Sequence, residues 1–126
     1  MIVGIGTDII EIRRVKRALN SRRFKERVYT PDERNYCESR GMQAAASFAA
    51  RFAGKEAVMK AFCADLRHGM FADIEILPDA NGCPRVTLKN YFARLAETKK
   101  ISKIHVSLSH SREYATADCV LEATVV

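Results

Sequence analysis

The 126-residue chain has no tryptophan, only three prolines and no run of 18 apolar residues. The last absence excludes a membrane-spanning helix. Four cysteines, Cys37, Cys63, Cys83 and Cys119, stand without any CxxC pair. That spacing does not indicate zinc, and it suits reduced, buried or inert thiols in a cytosolic chain. Met1-Ile2-Val3-Gly4-Ile5 reaches Asp8 without the basic start and longer apolar stretch of a secretory signal, so export is not expected. Aromatic residues make up 8%, which leaves little stacking surface for single-stranded nucleic acid. No repeat, low-complexity tract or linker interrupts the chain, and residues 1–126 are read as a single domain. With 48% apolar and 29% charged residues, such a domain can build a core.

The formal charge of +6 is unevenly placed. Between Arg13 and Arg27 lie eight bases and one acid, a net +7, so the remainder is close to neutral at −1. One basic patch on a neutral body steers an anionic partner over roughly 8–10 Å at physiological salt. The same pattern also fits a solvated helix face.

Ile2 to Ile12 reads as a strand, with Gly4, Gly6 and Asp8 on one pleat face. A helix from about Glu11 to Leu19 buries Ile12, Val15 and Leu19. Asn20-Ser21 breaks it, and a short turn is expected around Phe24 to Val28. Thr30-Pro31-Asp32-Glu33 forms a capping box for a helix ending near Gly41. A longer helix spans about Gln43 to Phe62, with Gly54 its weak point. Ile74–Leu77 and Arg85–Leu88 flank turn chemistry at Pro78–Gly82. A helix from Asn90 to Lys99 follows, then an alternating strand from Ile104 to Ser109 and a last strand from Tyr114 to Val125. The expected fold is α+β, an antiparallel sheet with helices packed on one face.

On the long helix, 100° steps place Phe48, Phe52, Met59 and Phe62 in one buried stripe, and Lys55 falls inside it. A lysine there needs a partner or must snorkel to solvent. Arg51 borders the stripe on one side, Glu56 and Lys60 on the other. Glu56 and Lys60 fit either an i,i+4 pair worth about 0.3–0.5 kcal/mol or a functional set. Asp8, after Gly-Ile-Gly-Thr, fits a helix cap or a ligand for a hard metal. Asp8 and Glu56 together would suit Mg²⁺ beside a phosphate. His105, Ser107 and Ser109 project from one strand face, either an exposed surface or a polar floor for a phosphorylated ligand. No Gly-rich elbow surrounds Ser109 to make it a nucleophile.

Gly4-Ile5-Gly6-Thr7-Asp8-Ile9, Arg51-Phe52-Ala53-Gly54-Lys55-Glu56-Ala57, Lys60-Ala61-Phe62 and His105-Val106-Ser107-Leu108-Ser109-His110 occur in that order over nearly the whole chain. Together they resemble the bacterial holo-acyl-carrier-protein synthases, small 4′-phosphopantetheinyl transferases. The Asn81-Gly82-Cys83-Pro84 turn and the closing Tyr114–Ala117 strand also fit. The resemblance implies the 4′-phosphopantetheinyl transferase fold. It implies transfer of phosphopantetheine from coenzyme A to a serine of apo-acyl-carrier protein, with release of adenosine 3′,5′-bisphosphate. It further implies Mg²⁺, a cytoplasmic homotrimer with sites between subunits, and a place in fatty acid biosynthesis. Carried over by motif position, Asp8 and Glu56 are the metal ligands, and Glu56 and Lys60 the catalytic pair. Arg51, Lys60, Gly82, Pro84, His105 and Ser107 hold coenzyme A, while Arg14, Arg23, Phe24 and Arg27 meet the acidic carrier protein. One stretch departs from the pattern: Cys63-Ala64-Asp65-Leu66-Arg67-His68-Gly69 stands where the family commonly carries Gly-Thr-Gly-Ile.

Two other readings compete. A small nucleic-acid-binding module accounts for the basic patch but not for Asp8 and Glu56, whose charge repels phosphate unless a metal intervenes. A metal-dependent phosphohydrolase uses the same carboxylates with water as acceptor.

Overall fold

The computed structural model describes residues 1–124. Strand β1 (Ile2–Glu11) runs straight into α1 (Ile12–Ala18), followed by α2 (Arg22–Val28), α3 (Pro31–Glu38) and the central helix α4 (Ala44–Ala61). The second half contains β2 (Ile74–Pro78), β3 (Pro84–Leu88), α5 (Asn90–Thr98), β4 (Ile101–His110) and β5 (Tyr114–Ala123). The strands divide between two antiparallel sheets: three strands in the order β1-β5-β4, and the β2-β3 hairpin. The last strand was expected to reach Val125; that residue lies outside those described.

Small residues decide where α4 sits. A Cβ on Gly6 would lie 1.9 Å from the Ala57 carbonyl oxygen, and one on Gly4 would lie 2.1 Å from that of Ala61. The two glycines therefore let β1 lie directly against the alanine stripe of α4. That face continues to Asp8, so the close approach also sets where its carboxylate meets the helix. Gly54, expected to weaken α4, has a packing reason instead: a Cβ there would lie 2.6 Å from the Ile76 side chain. Its propensity cost of about 1 kcal/mol is offset by access of β2 to the helix.

The core lies on both sides of α4. Ala53, Ala57, Val58, Phe62, Ile74, Ile76, Phe92 and Leu121 form one cluster. Val15, Val28, Tyr29, Phe48 and Ala49 form the other. No helix of the described residues is long and apolar enough to cross a membrane.

Residues 22–28 form a helix rather than the expected turn. Ser21 caps it by accepting from the Phe24 amide at 3.2 Å, and Arg22 pairs with Glu26 one turn on at 2.7 Å. The Thr30–Glu33 capping box forms in both directions. Its helix stops at Glu38, earlier than expected, and a short 3₁₀ turn at Gly41–Gln43 leads into α4. At the far end of α4, the Cys63 amide donates to Lys60 and the Ala64 amide to Met59, with Cys63 at φ 53°. This is a Schellman stop, with cysteine at the left-handed position usually given to glycine.

The β1-β5-β4 sheet is covered on one face only. Ile5 and Ile9 on its other face are 75% and 62% exposed. Register places Val120 beside Ile5, and Asp118 between Thr7 and Ser107, on that uncovered face.

Candidate active site

Three groups meet on the seam between β1 and α4. Asp8 comes from the strand, Glu56 and Lys60 from successive turns of the helix. The Lys60 ammonium donates to Asp8 Oδ1 at 3.0 Å and to the Thr7 carbonyl at 3.0 Å. Asp8 is largely covered and Lys60 half-exposed, with side-chain exposures of 16% and 54%. Burial, then the Asp8 charge, pushes the Glu56 carboxyl above its ordinary range, while Lys60 pulls it back. Two acids and one base thus act on one another at a partly open position.

This geometry removes two of the plainer alternatives. Asp8 lies within β1, and α1 is preceded by Glu11 with no side-chain cap. Lys60 turns to Asp8 instead of forming the simple helical pair with Glu56. Among the described residues no cluster of three or more His, Cys, Asp or Glu side chains could enclose a metal. Two carboxylates supply hard oxygen ligands and leave the remaining positions to water and phosphate, which is a donor set that fits Mg²⁺.

The other sequence-derived candidates fall into separate places. Arg51, Gly82 and Pro84 line a cleft of about 490 Å³ with Tyr36, Arg40 and His110. Arg51 is itself buried; it donates to the Ile76 carbonyl at 3.2 Å and to Ser47, and lies 4.6 Å over the Tyr36 ring. His105 and Ser107 project from the uncovered sheet face, away from Asp8. Within one chain they do not reach the Asp8–Glu56–Lys60 group. His105 pairs with Glu122 at 2.5 Å, which holds the Glu122 carboxyl below its ordinary range. A larger cleft of about 890 Å³, between Arg13, Lys16, Met42 and Arg112, shares His110 with the Arg51 cleft but contains none of Asp8, Glu56, Lys60 and Arg51; chemistry rather than size marks the site.

The basic patch maps to α1 and α2. Arg14, Arg23 and Arg27 are exposed, whereas Lys25 is held by Glu38. Phe24 is half-buried, its ring 6.2 Å from Tyr29 and 6.1 Å from Phe52. It borders a groove flanked by Arg23, Arg27, Leu66 and Met70. The atypical Cys63–Gly69 stretch supplies Leu66 and Gly69 to that groove.

Lys55 does not snorkel. It is fully buried, and its ammonium meets Glu33 Oε1 at 2.8 Å and the carbonyls of Ile74 and Phe71. Burial pulls its pKa below the ordinary range and Glu33 raises it in part. A lysine inside an apolar stripe is the sequence signal for this pair; Glu33 shows in the sequence only as a capping residue. Of the four thiols, Cys37 and Cys119 are buried, and burial pushes Cys119 up to about 12. Cys63 and Cys83 are exposed.

Comparison with known proteins gives a consistent result. A family model described as the 4′-phosphopantetheinyl transferase superfamily matches residues 4–119. The chain is 46% identical over 120 residues to a holo-[acyl-carrier-protein] synthase of Ruminiclostridium cellulolyticum, covering 93% of this chain and 90% of that protein. It is 45% identical over 122 residues to one of Alkaliphilus metalliredigens, covering 95% and 98%. Among solved structures, a holo-(acyl-carrier-protein) synthase of Bacillus anthracis in complex with CoA (3′,5′-ADP) superposes with a TM-score of 0.82. Identity there is 37%, over 98% of this chain and 99% of that one.

Proposed function

Because the chain belongs to the 4′-phosphopantetheinyl transferase superfamily, among its holo-[acyl-carrier-protein] synthases, we propose that it moves the phosphopantetheine arm of coenzyme A onto a serine of apo-acyl-carrier protein. The serine hydroxyl attacks the β-phosphorus of coenzyme A, and adenosine 3′,5′-bisphosphate leaves. Such a phosphoryl transfer asks the protein mainly for positioning and for stabilisation of developing charge. The observation that carries this reading is the meeting of Asp8, Glu56 and Lys60 on one seam.

Each residue then has a task. Glu56 accepts the proton of the attacking hydroxyl, as the carboxylate beside the reacting phosphate. Lys60 offsets charge on the leaving phosphate. Asp8 and Glu56 would hold Mg²⁺, whose charge balances that arising on the pyrophosphate oxygens. Arg51, Gly82 and Pro84 line the cleft we assign to the nucleotide end of coenzyme A.

His105 and Ser107 point off the uncovered sheet face, so they serve coenzyme A only across a contact between copies. The exposed Ile5 and Ile9 on that face support a homotrimer with shared sites. The exposed arginines Arg14, Arg23 and Arg27, with the edge of Phe24, suit an acidic carrier protein. Complementary charge would raise the encounter rate more than the final affinity. We assign the reaction to the cytoplasm, where the four unpaired thiols stay reduced.

Intact-mass analysis of an apo-carrier protein tests the reading. The carrier gains the phosphopantetheine mass only when enzyme, coenzyme A and Mg²⁺ are all present. Cleavage of coenzyme A without a carrier would favour the phosphohydrolase instead.

A further inference from the structure

Glu33 and Lys55 form the only ion pair among the described residues with both side chains fully buried. Glu33 Oε1 takes Lys55 and also the Thr30 amide at 2.9 Å, while Oε2 takes the Ile76 amide at 2.8 Å. Lys55 adds the carbonyls of Ile74 and Phe71. Two side chains therefore join α3, α4, β2 and the Phe71–Asp73 turn. One turn before Lys55, Arg51 donates to the Ile76 carbonyl, tying α4 to the same strand.

A pair removed this fully from water is a weak source of stability, since desolvation offsets much of the attraction. Its geometric effect is larger. Lys55 directly precedes Glu56, and neighbours on a helix differ by about 100°. With Lys55 tied to β2 and α3, the rotation of α4 is set. Glu56 and Lys60 are then turned toward β1, where Asp8 lies. The same bonds fix β2, whose hairpin carries Gly82 and Pro84.

We propose that Glu33 and Lys55 are positioning residues for the transfer reaction. They hold α4 in the rotation that aims Glu56 and Lys60 at Asp8, and they link that group to the hairpin bordering the Arg51 cleft. The inference rests on the transfer reading above.

The test is the double substitution Glu33→Gln with Lys55→Met, which removes both charges together and keeps side chains of similar length. Thermal unfolding reports the fold; kcat and KM are measured for coenzyme A and for carrier protein. The expected result is a folded enzyme with kcat reduced about 10- to 100-fold and KM for carrier protein changed less than about twofold. A folded double variant with wild-type kcat overturns the proposal. So does a loss confined to KM for coenzyme A, which would put the effect in the cleft alone. If the double variant does not fold, Glu33→Asp keeps the charge but draws the carboxylate back by one methylene. It should lose kcat to a smaller degree, and wild-type kcat in that variant overturns the proposal. A wild-type enzyme that transfers nothing defeats the transfer reading, and this inference with it; an active wild type with an unaffected variant defeats the inference alone.

Discussion

Lys60 bonds to Asp8 across the contact between α4 and β1, with Nζ 3.0 Å from Oδ1. That bond exists because Gly4 and Gly6, on the same strand face, allow the backbone of β1 to reach the helix. The site is therefore a consequence of side chains that are missing as much as of those present.

Gly6→Ala should disrupt this contact. Its Cβ would fall 1.9 Å from a backbone carbonyl that cannot swing aside. Overpacking of this kind costs typically about 1–3 kcal/mol and sometimes more. Thermal unfolding should show a clear loss, with transfer activity falling too. Gly41→Ala is the control: nothing lies within 4 Å, and only its φ of +60° resists a side chain. It should cost about 1–2 kcal/mol and leave transfer by the folded protein unchanged.

Glu56 gives a pH signature. Its folded carboxyl holds a proton above its ordinary value of 4.5. Between that value and the raised one, the folded state binds more protons than the unfolded chain, so stability falls as pH rises. Glu56→Gln removes this contribution. In cation-free buffer, the variant should gain Tm relative to wild type as pH is raised from 4.5 toward neutrality. A constant difference across that range would contradict the shift.

Much of this was legible in the sequence, for physical reasons. The Thr30-Pro31-Asp32-Glu33 start is local chemistry and forms as read. Strand alternation at Ile104–Ser109 placed His105 and Ser107 on one face. Other features depend on tertiary contacts. Residues 22–28 form a helix because Phe24 and Val28 pack into the core around Tyr29 and Phe48, a tertiary contact added to the local Ser21 cap and Arg22–Glu26 pair. Periodicity put Lys55 in the buried stripe but gave no means of finding Glu33, 22 residues earlier. That His105 and Ser107 face away from Asp8 follows from which side of the sheet α4 covers, and one strand's pattern does not encode that.

Reversing charge on the patch should separate the two substrates. Arg14→Glu with Arg23→Glu is expected to raise KM for carrier protein, with the loss shrinking at high salt. Coenzyme A binding by calorimetry should stay at the wild-type level. An equal loss for coenzyme A would mean that the patch serves the nucleotide.

The uncovered sheet face makes a further demand. Ile5→Glu puts a carboxylate at a position 75% exposed in the single chain, so the monomer should fold. Analytical ultracentrifugation should show that the variant does not form the proposed homotrimer, and transfer should fall with it. Full activity from a monomeric variant would remove the need for shared sites.

The most direct measurement is transfer to apo-carrier protein, followed by intact mass across a Mg²⁺ titration, for wild type, Asp8→Ala and Glu56→Gln. Wild type should load the carrier in a Mg²⁺-dependent way, and both variants should remain folded yet load none. Wild-type loading rates in either variant would contradict the account.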